Sequence, residues 1–346
     1  MKRALFLVFP LILASFACSF VSPSQPLSLT VPATATVLPD SPPIQTTASI
    51  PSPALPPAAV ETIHAAGTLE KILSATSSPA QASLSVEQIR NASFILIDSD
   101  QVRQNVILQD GQFQNEVHPD QAGYINLTLM DKIAFGDLNG DGLEDAAVIM
   151  VENFGGSGQF ASLATFLNQN GKPRLAARTM IDDRPIFQDI AIKDGAILLN
   201  VTVHGPNDPM CCPNQPTVRV YRLLDQDLQI VRYSSTTSSG SSRIIQINDP
   251  ADGSEFSSPF TVRGSTTISP FENTLSYAIF KNGVSEPILK AGFTVQTSEP
   301  GGPGTFILPL DLTQINYHGQ IRIEITDFSL ADGSILARDS IFVLLK

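Results

Sequence analysis

Asp110-Gly111, Asn170-Gly171 and Asp194-Gly195 each stand between short segments rich in apolar residues, and this repeated turn chemistry limits the fold more than any other feature. Such dipeptides accept the positive φ that a tight hairpin demands. The flanking segments carry strand periods. "NVILQDGQFQ" places Asp110-Gly111 at a hairpin tip, "YINLTLM" alternates, and "DAAVIMVE" is a nearly continuous apolar run of the kind a central strand carries. "GQFASLATFLNQNGKPRLAARTM" and "FQDIAIKDGAILLNVTV" each hold a strand pair, and "TVRVYRL" closes the series. Ahead of them, Ser85 and Gln88 in "SVEQ" form a capping-box pattern, predicting a short helix that gives way to a strand in "RNASFIL". Residues 85–233 are therefore expected to form a β-rich domain whose topology local pattern does not fix.

Composition marks the next boundary. "SSTTSSGSS", residues 234–242, is a serine-rich joint, and after it short alternating segments separated by turn signals fill residues 243–346. That is the pattern of an antiparallel β-sandwich. The fold class expected is mainly β. Hydrophobic residues make up 42% of the 346, enough for real cores. The formal charge is −12 with only 21 Lys+Arg spread thinly, so no basic stripe exists for a phosphate backbone and no nucleic-acid partner is expected.

The first residues read as an export signal. Lys2 and Arg3 precede the apolar run "ALFLVFPLILASFA", which is too short for a comfortable membrane span. Residues 1–17 are read as the signal peptide. "SFAC" resembles the lipobox of bacterial lipoproteins, which implies cleavage before Cys18, lipidation of that residue and a membrane anchor. Ser15 and Ala17 also suit ordinary signal peptidase, which would release a secreted protein. Residues 18–84 are dominated by Pro, Ser, Thr and Ala without sustained periodicity, the composition of a disordered linker. His64 in it is given no role.

"FGDLNGDGLEDAA", residues 135–147, is the sharpest chemical signal. Asp137, Asn139, Asp141 and Asp145 occupy positions 1, 3, 5 and 9 of a calcium-loop count, Leu143 offers its carbonyl at 7, and Gly142 stands at 6 where the chain must turn. Position 12 is Val148 rather than a bidentate Glu, so this is no helix-loop-helix hand. The bland alternative is a solvated Asx-rich turn. The motif resembles the strand-flanked calcium loops of FG-GAP repeats in integrin-like propellers, with Phe135 and Gly136 as its "FG". It occurs once, and a propeller needs several blades, so the resemblance implies a structural calcium ion and not that fold.

The cysteines besides Cys18 are the adjacent Cys211 and Cys212. A vicinal disulfide, two buried reduced thiols, and a soft-metal or redox pair all stay open. His204 nearby, with Cys212, offers a Cys-His nucleophile, against a proline-rigid loop as the plain alternative. "GGSG" at 155–158 lacks the lysine and helix of a phosphate loop. Asp182, Asp183 and Asp189 are the acids a glycosidase pair would draw on.

Two larger resemblances complete the picture. "IIQINDPADGSEFSSPFTVRGSTTISPFENTLSYAIF" and "ITDFSLADGSILARDSIFVLL" resemble the bacterial immunoglobulin-like domain of spore-germination-associated and other envelope proteins, carried by Pro250, Gly253, Ser258-Pro259-Phe260, Gly264, Phe271-Glu272, Ser329 and Asp332-Gly333. The resemblance implies a sandwich that presents, spaces or binds. The block from "IRNASFIL" through "HGPNDPMCCP" to "VRVYRL" is similar to a β-rich domain of uncharacterised bacterial envelope lipoproteins, including the mycobacterial LppP/LprE lipoproteins; it departs at Asp182 to Pro185, where a glycine-led turn is expected. The function expected is non-catalytic binding or scaffolding at the cell envelope, with an envelope protein or polysaccharide as partner. The alternative is an envelope hydrolase using the acidic loop or the 204–212 loop, and a third is pure spacing.

Overall fold

The computed structural model describes residues 83–97 and 103–346. The signal segment, Cys18 and the linker as far as residue 82 lie outside the described residues. Helix α1 (Val86–Arg90) starts from Ser85, whose hydroxyl accepts the Gln88 N–H while the Gln88 side chain accepts the Ser85 N–H, so the capping box is formed. Strands β1 (Ser93–Ile97) and β2 (Arg103–Ile107) pair antiparallel. Next, β3 (Gln112–Gln114), β4 (Asn126–Gly136), β5 (Asp145–Asn153), β6 (Phe160–Asn168) and β7 (Pro173–Asp183) form one antiparallel sheet in chain order. Asp110-Gly111 and Asn170-Gly171 turn with positive φ at both residues, as tight hairpins require.

Strand β5 is central, and its apolar run serves two cores. Ala146, Val148 and Met150 pack on one face with α1, β1 and β2 residues such as Ile89, Phe94 and Leu96. Ala147 and Ile149 pack on the other face with Ile197, Leu199 and Tyr221. A strand covered on both faces has no solvent side to mark with polar residues, which is why its sequence barely alternates. The second core is closed by β8 (Ile186–Lys193), β9 (Ala196–Val203), β10 (Gln215–Leu224) and β11 (Asp227–Thr236).

The C-terminal part is a largely antiparallel sandwich. Its strands are β12 (Ser242–Arg243), β13 (Ile245–Asp249), β14 (Glu255–Phe256), β15 (Phe260–Thr266), β16 (Thr274–Lys281), β17 (Leu289–Thr294), β18 (Gln296–Thr297), β19 (Gly304–Leu310), β20 (Gly319–Phe328) and β21 (Ile335–Leu345). One layer runs β13-β15-β19-β18, and the other contains β17-β16-β20-β21. Val262, Phe306 and Leu308 from the first meet Ile279, Ile323 and Ile341 from the second. Gly264 allows the close approach of β13 and β15, because a Cβ there would lie 2.3 Å from the Gln246 carbonyl and 2.2 Å from Phe306 Cζ.

The serine-rich stretch differs from the open joint its composition predicts. Ser234–Thr236 belong to β11, and Ser235 and Thr236 pair with Arg243 and Ser242 of β12. Beyond that hairpin, Tyr233 and Ser234 pair with Arg338 and Ala337 of β21, so one ten-stranded sheet runs through both β regions. Serine and threonine read as linker by composition, yet both accept extended backbone once a neighbouring edge supplies ladder bonds. Side chains fasten the seam. Arg232 Nε lies 2.9 Å from Asp339 Oδ1, Arg243 Nη1 lies 2.7 Å from Asp327 Oδ2, and Ser235 Oγ donates to the Leu336 carbonyl at 2.6 Å. Buried beside them, Glu324 bridges Arg322 at 2.5 Å and Arg338 at 3.0 Å, while Arg322 also donates to Gln229 Oε1. Among the described residues no helix is long and apolar enough to cross a membrane.

Candidate functional site

The acidic loop is the connection between β4 and β5, closed by the pairing of Gly136 with Asp145. Gly142 sits at φ 81°, a region costly for any residue with a Cβ. Asp137 is turned into the loop: Oδ1 accepts the N–H of Gly140 at 2.7 Å and of Asn139 at 3.2 Å, and Oδ2 accepts that of Gly142 at 2.8 Å. Asp141 accepts the Leu143 N–H and the Asn139 amide, and Asn139 Oδ1 accepts the Asp141 N–H. Asp145 is fully buried beneath them, its two oxygens taking the N–H groups of Leu138 and Asn168 at 2.9 and 2.8 Å.

These surroundings push the carboxyls apart. Burial raises Asp145, and the nearby Asp141 and Asp137 charges add to this against the two N–H bonds. Burial also acts upward on Asp137, but the N–H groups of Gly142, Gly140 and Asn139 outweigh it and hold that carboxyl below the usual range. Among the described residues no group of three or more His, Cys, Asp or Glu side chains is placed to hold a metal ion, and none of Asp137, Asp141 and Asp145 has an ion-pair partner within 4.0 Å. The donor chemistry, three carboxylates with the Asn139 amide oxygen and the Leu143 carbonyl, is of the all-oxygen kind that a hard cation takes.

A second constellation joins the ends of β7, β9, β10 and β11 to the turn before β21. A cavity of about 320 Å³ is lined by Asp182, His204, Arg219, Tyr233 and Ser334, among others. Asp182 Oδ2 lies 2.9 Å from His204 Nδ1 and also accepts the His204 backbone N–H at 2.6 Å. His204 Nε2 is buried with no hydrogen-bond partner. Arg219 is 8% exposed and meets only neutral groups: Thr217 Oγ1 at 3.3 Å, Tyr221 hydroxyl at 3.5 Å, and the Tyr233 ring with its centroid 5.5 Å away. Burial raises the Tyr233 hydroxyl and Arg219 opposes that, so the phenol stays a donor at neutral pH.

The structure places His204 and Asp182 together, a pairing that residue spacing does not reveal. Asp183 turns elsewhere, onto the Gln159 N–H and Arg184, and Asp189 lies on β8. Cys211 and Cys212 form a disulfide with their Cα atoms 3.8 Å apart; both residues are exposed, and neither lines the cavity. Arg219 was the residue local pattern hid. In "TVRVYRL" the valines claim the inward face, but the structure turns Thr217, Arg219 and Tyr221 inward and leaves Val218 41% exposed.

Comparison with known proteins concerns the C-terminal part. No curated protein matches the chain at a significant level. Residues 244–334, spanning β13 to the turn before β21, match the family model of Gmad2, the immunoglobulin-like domain of bacterial spore germination. The C-terminal sandwich is therefore immunoglobulin-like and similar to that domain.

Proposed function

We propose that this chain is an exported envelope protein, tethered by a lipid on Cys18, whose β modules perform non-catalytic binding or scaffolding with one structural calcium ion in the 137–145 loop. The observation that carries this reading is the immunoglobulin-like match over residues 244–334, which we read as a module that presents, spaces or binds. The export-type first residues and the proline-rich segment after them support display beyond a membrane, and the lipoprotein resemblance read from the sequence of the middle region is consistent with it. The ion is supported by three neighbouring carboxylates without a cationic partner among the described residues. Calcium would be held by Asp137, Asn139, Asp141, Asp145 and the Leu143 carbonyl, where it neutralises that charge and stiffens the β4–β5 connection. An envelope polysaccharide or protein is the partner.

One observation favours the hydrolase reading instead: Asp182 orients the His204 ring beside a cavity. A single assay separates the two. The purified protein is mixed with isolated cell-wall material, sedimented, and the supernatant examined for released sugar or peptide. Binding predicts co-sedimentation without release, unchanged by His204→Gln; release that the variant abolishes would establish the hydrolase. Fractionation of cells expressing wild type and Cys18→Ala tests the tether, with the variant expected to leave the membrane fraction. Equal membrane retention of both would refute lipidation at that residue.

A further inference from the structure

The cavity at the junction of the two β regions holds a buried guanidinium that no carboxylate contacts. Arg219 has no carboxylate within 4.0 Å among the described residues, and its guanidinium rests among hydroxyls and an aromatic ring. A guanidinium taken from water without an opposite charge is expensive, and strands do not place one inward while leaving a valine outside without compensation. Its neighbour His204 is incomplete in a related way. Asp182 fixes the Nδ1 side of the ring and leaves Nε2 buried and unpartnered.

The remaining walls narrow the choice. Asp182 is committed to His204 through the ring and the backbone, and Asp332 at the rim takes the Ser334 N–H at 3.1 Å and hydroxyl at 2.8 Å. Both keep their charge, but neither stands within 4.0 Å of the Arg219 guanidinium. Gln215 and Ser334 add neutral polar groups to the lining. A protein of net charge −12 does not gather anions at random, so a cation buried in a cavity marks a specific place for one. At about 320 Å³ the space suits a molecule of amino-acid or hydroxy-acid size. The planar guanidinium fork matches a carboxylate with two parallel N–H bonds.

The geometry points to a binding site for a small carboxylate, free or at the end of a peptide, held by the Arg219 fork, with the His204–Asp182 pair forming the adjoining wall. It goes beyond the envelope-binding reading and does not depend on it, because it is tested on purified protein without envelope material.

The experiment is a calorimetric titration of the protein with N-acetyl-alanine, N-acetyl-alanine amide, acetyl-alanyl-alanine and inorganic phosphate. Saturable binding of the acid with at least tenfold loss for the amide is expected, and phosphate should not displace it. Equal affinity for acid and dipeptide assigns the site to any small carboxylate, whereas tighter binding of the dipeptide assigns it to a peptide terminus; both uphold the proposal. Arg219→Gln should weaken the acid at least tenfold, and His204→Gln, which changes the adjoining wall, should do so by a smaller factor with an unchanged melting temperature. Absence of saturable binding by either acid, equal binding of acid and amide, or wild-type affinity in both variants would overturn it.

Discussion

At the scale of single residues, the positions that break local rules here are the ones with a chemical reason. Arg219 faces inward on β10 and sets the polar lining of a cavity, while Gly264 faces inward on β15 because no side chain fits. Gly264→Ala drives a methyl into the Gln246 carbonyl and Phe306; the expected loss is about 1–3 kcal/mol in urea denaturation, and a variant as stable as wild type would show that the two sandwich strands can part. Asp339 gives a pH signature. Burial pushes its carboxyl up, against the N–H groups of Ile247 and Ser340 and the Arg232 guanidinium. The folded chain then holds this proton more tightly than the unfolded chain, so stability falls as pH rises from about 3.9 through the raised folded value. Asp339→Asn removes that slope. The wild-type-minus-variant difference in unfolding free energy should be greatest near pH 3 and shrink toward neutrality; a difference growing with pH contradicts the assignment.

At the scale of elements, the arginine-carboxylate seam where β11 meets β21 and β20 is the most exposed to damage. Burial depresses both Arg322 and Arg338, and Glu324 opposes it in each case. Glu324→Ala strands two buried cations at once, and a loss of about 3–5 kcal/mol is expected by chemical denaturation. A loss under about 1 kcal/mol would mean that water reaches the seam. Most hairpins were legible in the sequence because Asp-Gly and Asn-Gly turns and period-two alternation are local properties. The mainly β class and the C-terminal sandwich follow from them. The end of β11 was not legible, since Ser234 and Ser235 are strand residues through ladder partners on other strands: Val218 and Thr217 of β10, Arg243 of β12 and Ala337 of β21. The cavity was hidden for a related reason: Asp182 lies on β7 of the five-stranded sheet, while His204 follows β9 and Arg219 lies on β10 of the ten-stranded sheet, so only the packing of the two sheets brings them together. The acidic loop is the opposite case, with all its oxygen donors inside nine consecutive residues.

At the scale of the whole molecule, one sheet passes through a middle β region and an immunoglobulin-like sandwich, so the faces of both are presented in a fixed relation to each other. Export, tethering and binding form the account proposed for that body, and the loop at 137–145 is where it can be tested with the fewest assumptions. If the loop holds calcium, the ion at a hundred times its dissociation constant stabilises the folded chain by about 2.7 kcal/mol, and the melting temperature must follow calcium concentration. The decisive measurement is a calorimetric calcium titration of wild type and Asp141→Ala, paired with thermal melts in calcium and in chelator. The account predicts one saturable site in wild type, lost in the variant, and a melting temperature that chelator lowers in wild type alone. Identical behaviour of the two proteins, with melting indifferent to chelator, would reduce the loop to a hydrogen-bonded turn and contradict the calcium-stabilised binding module.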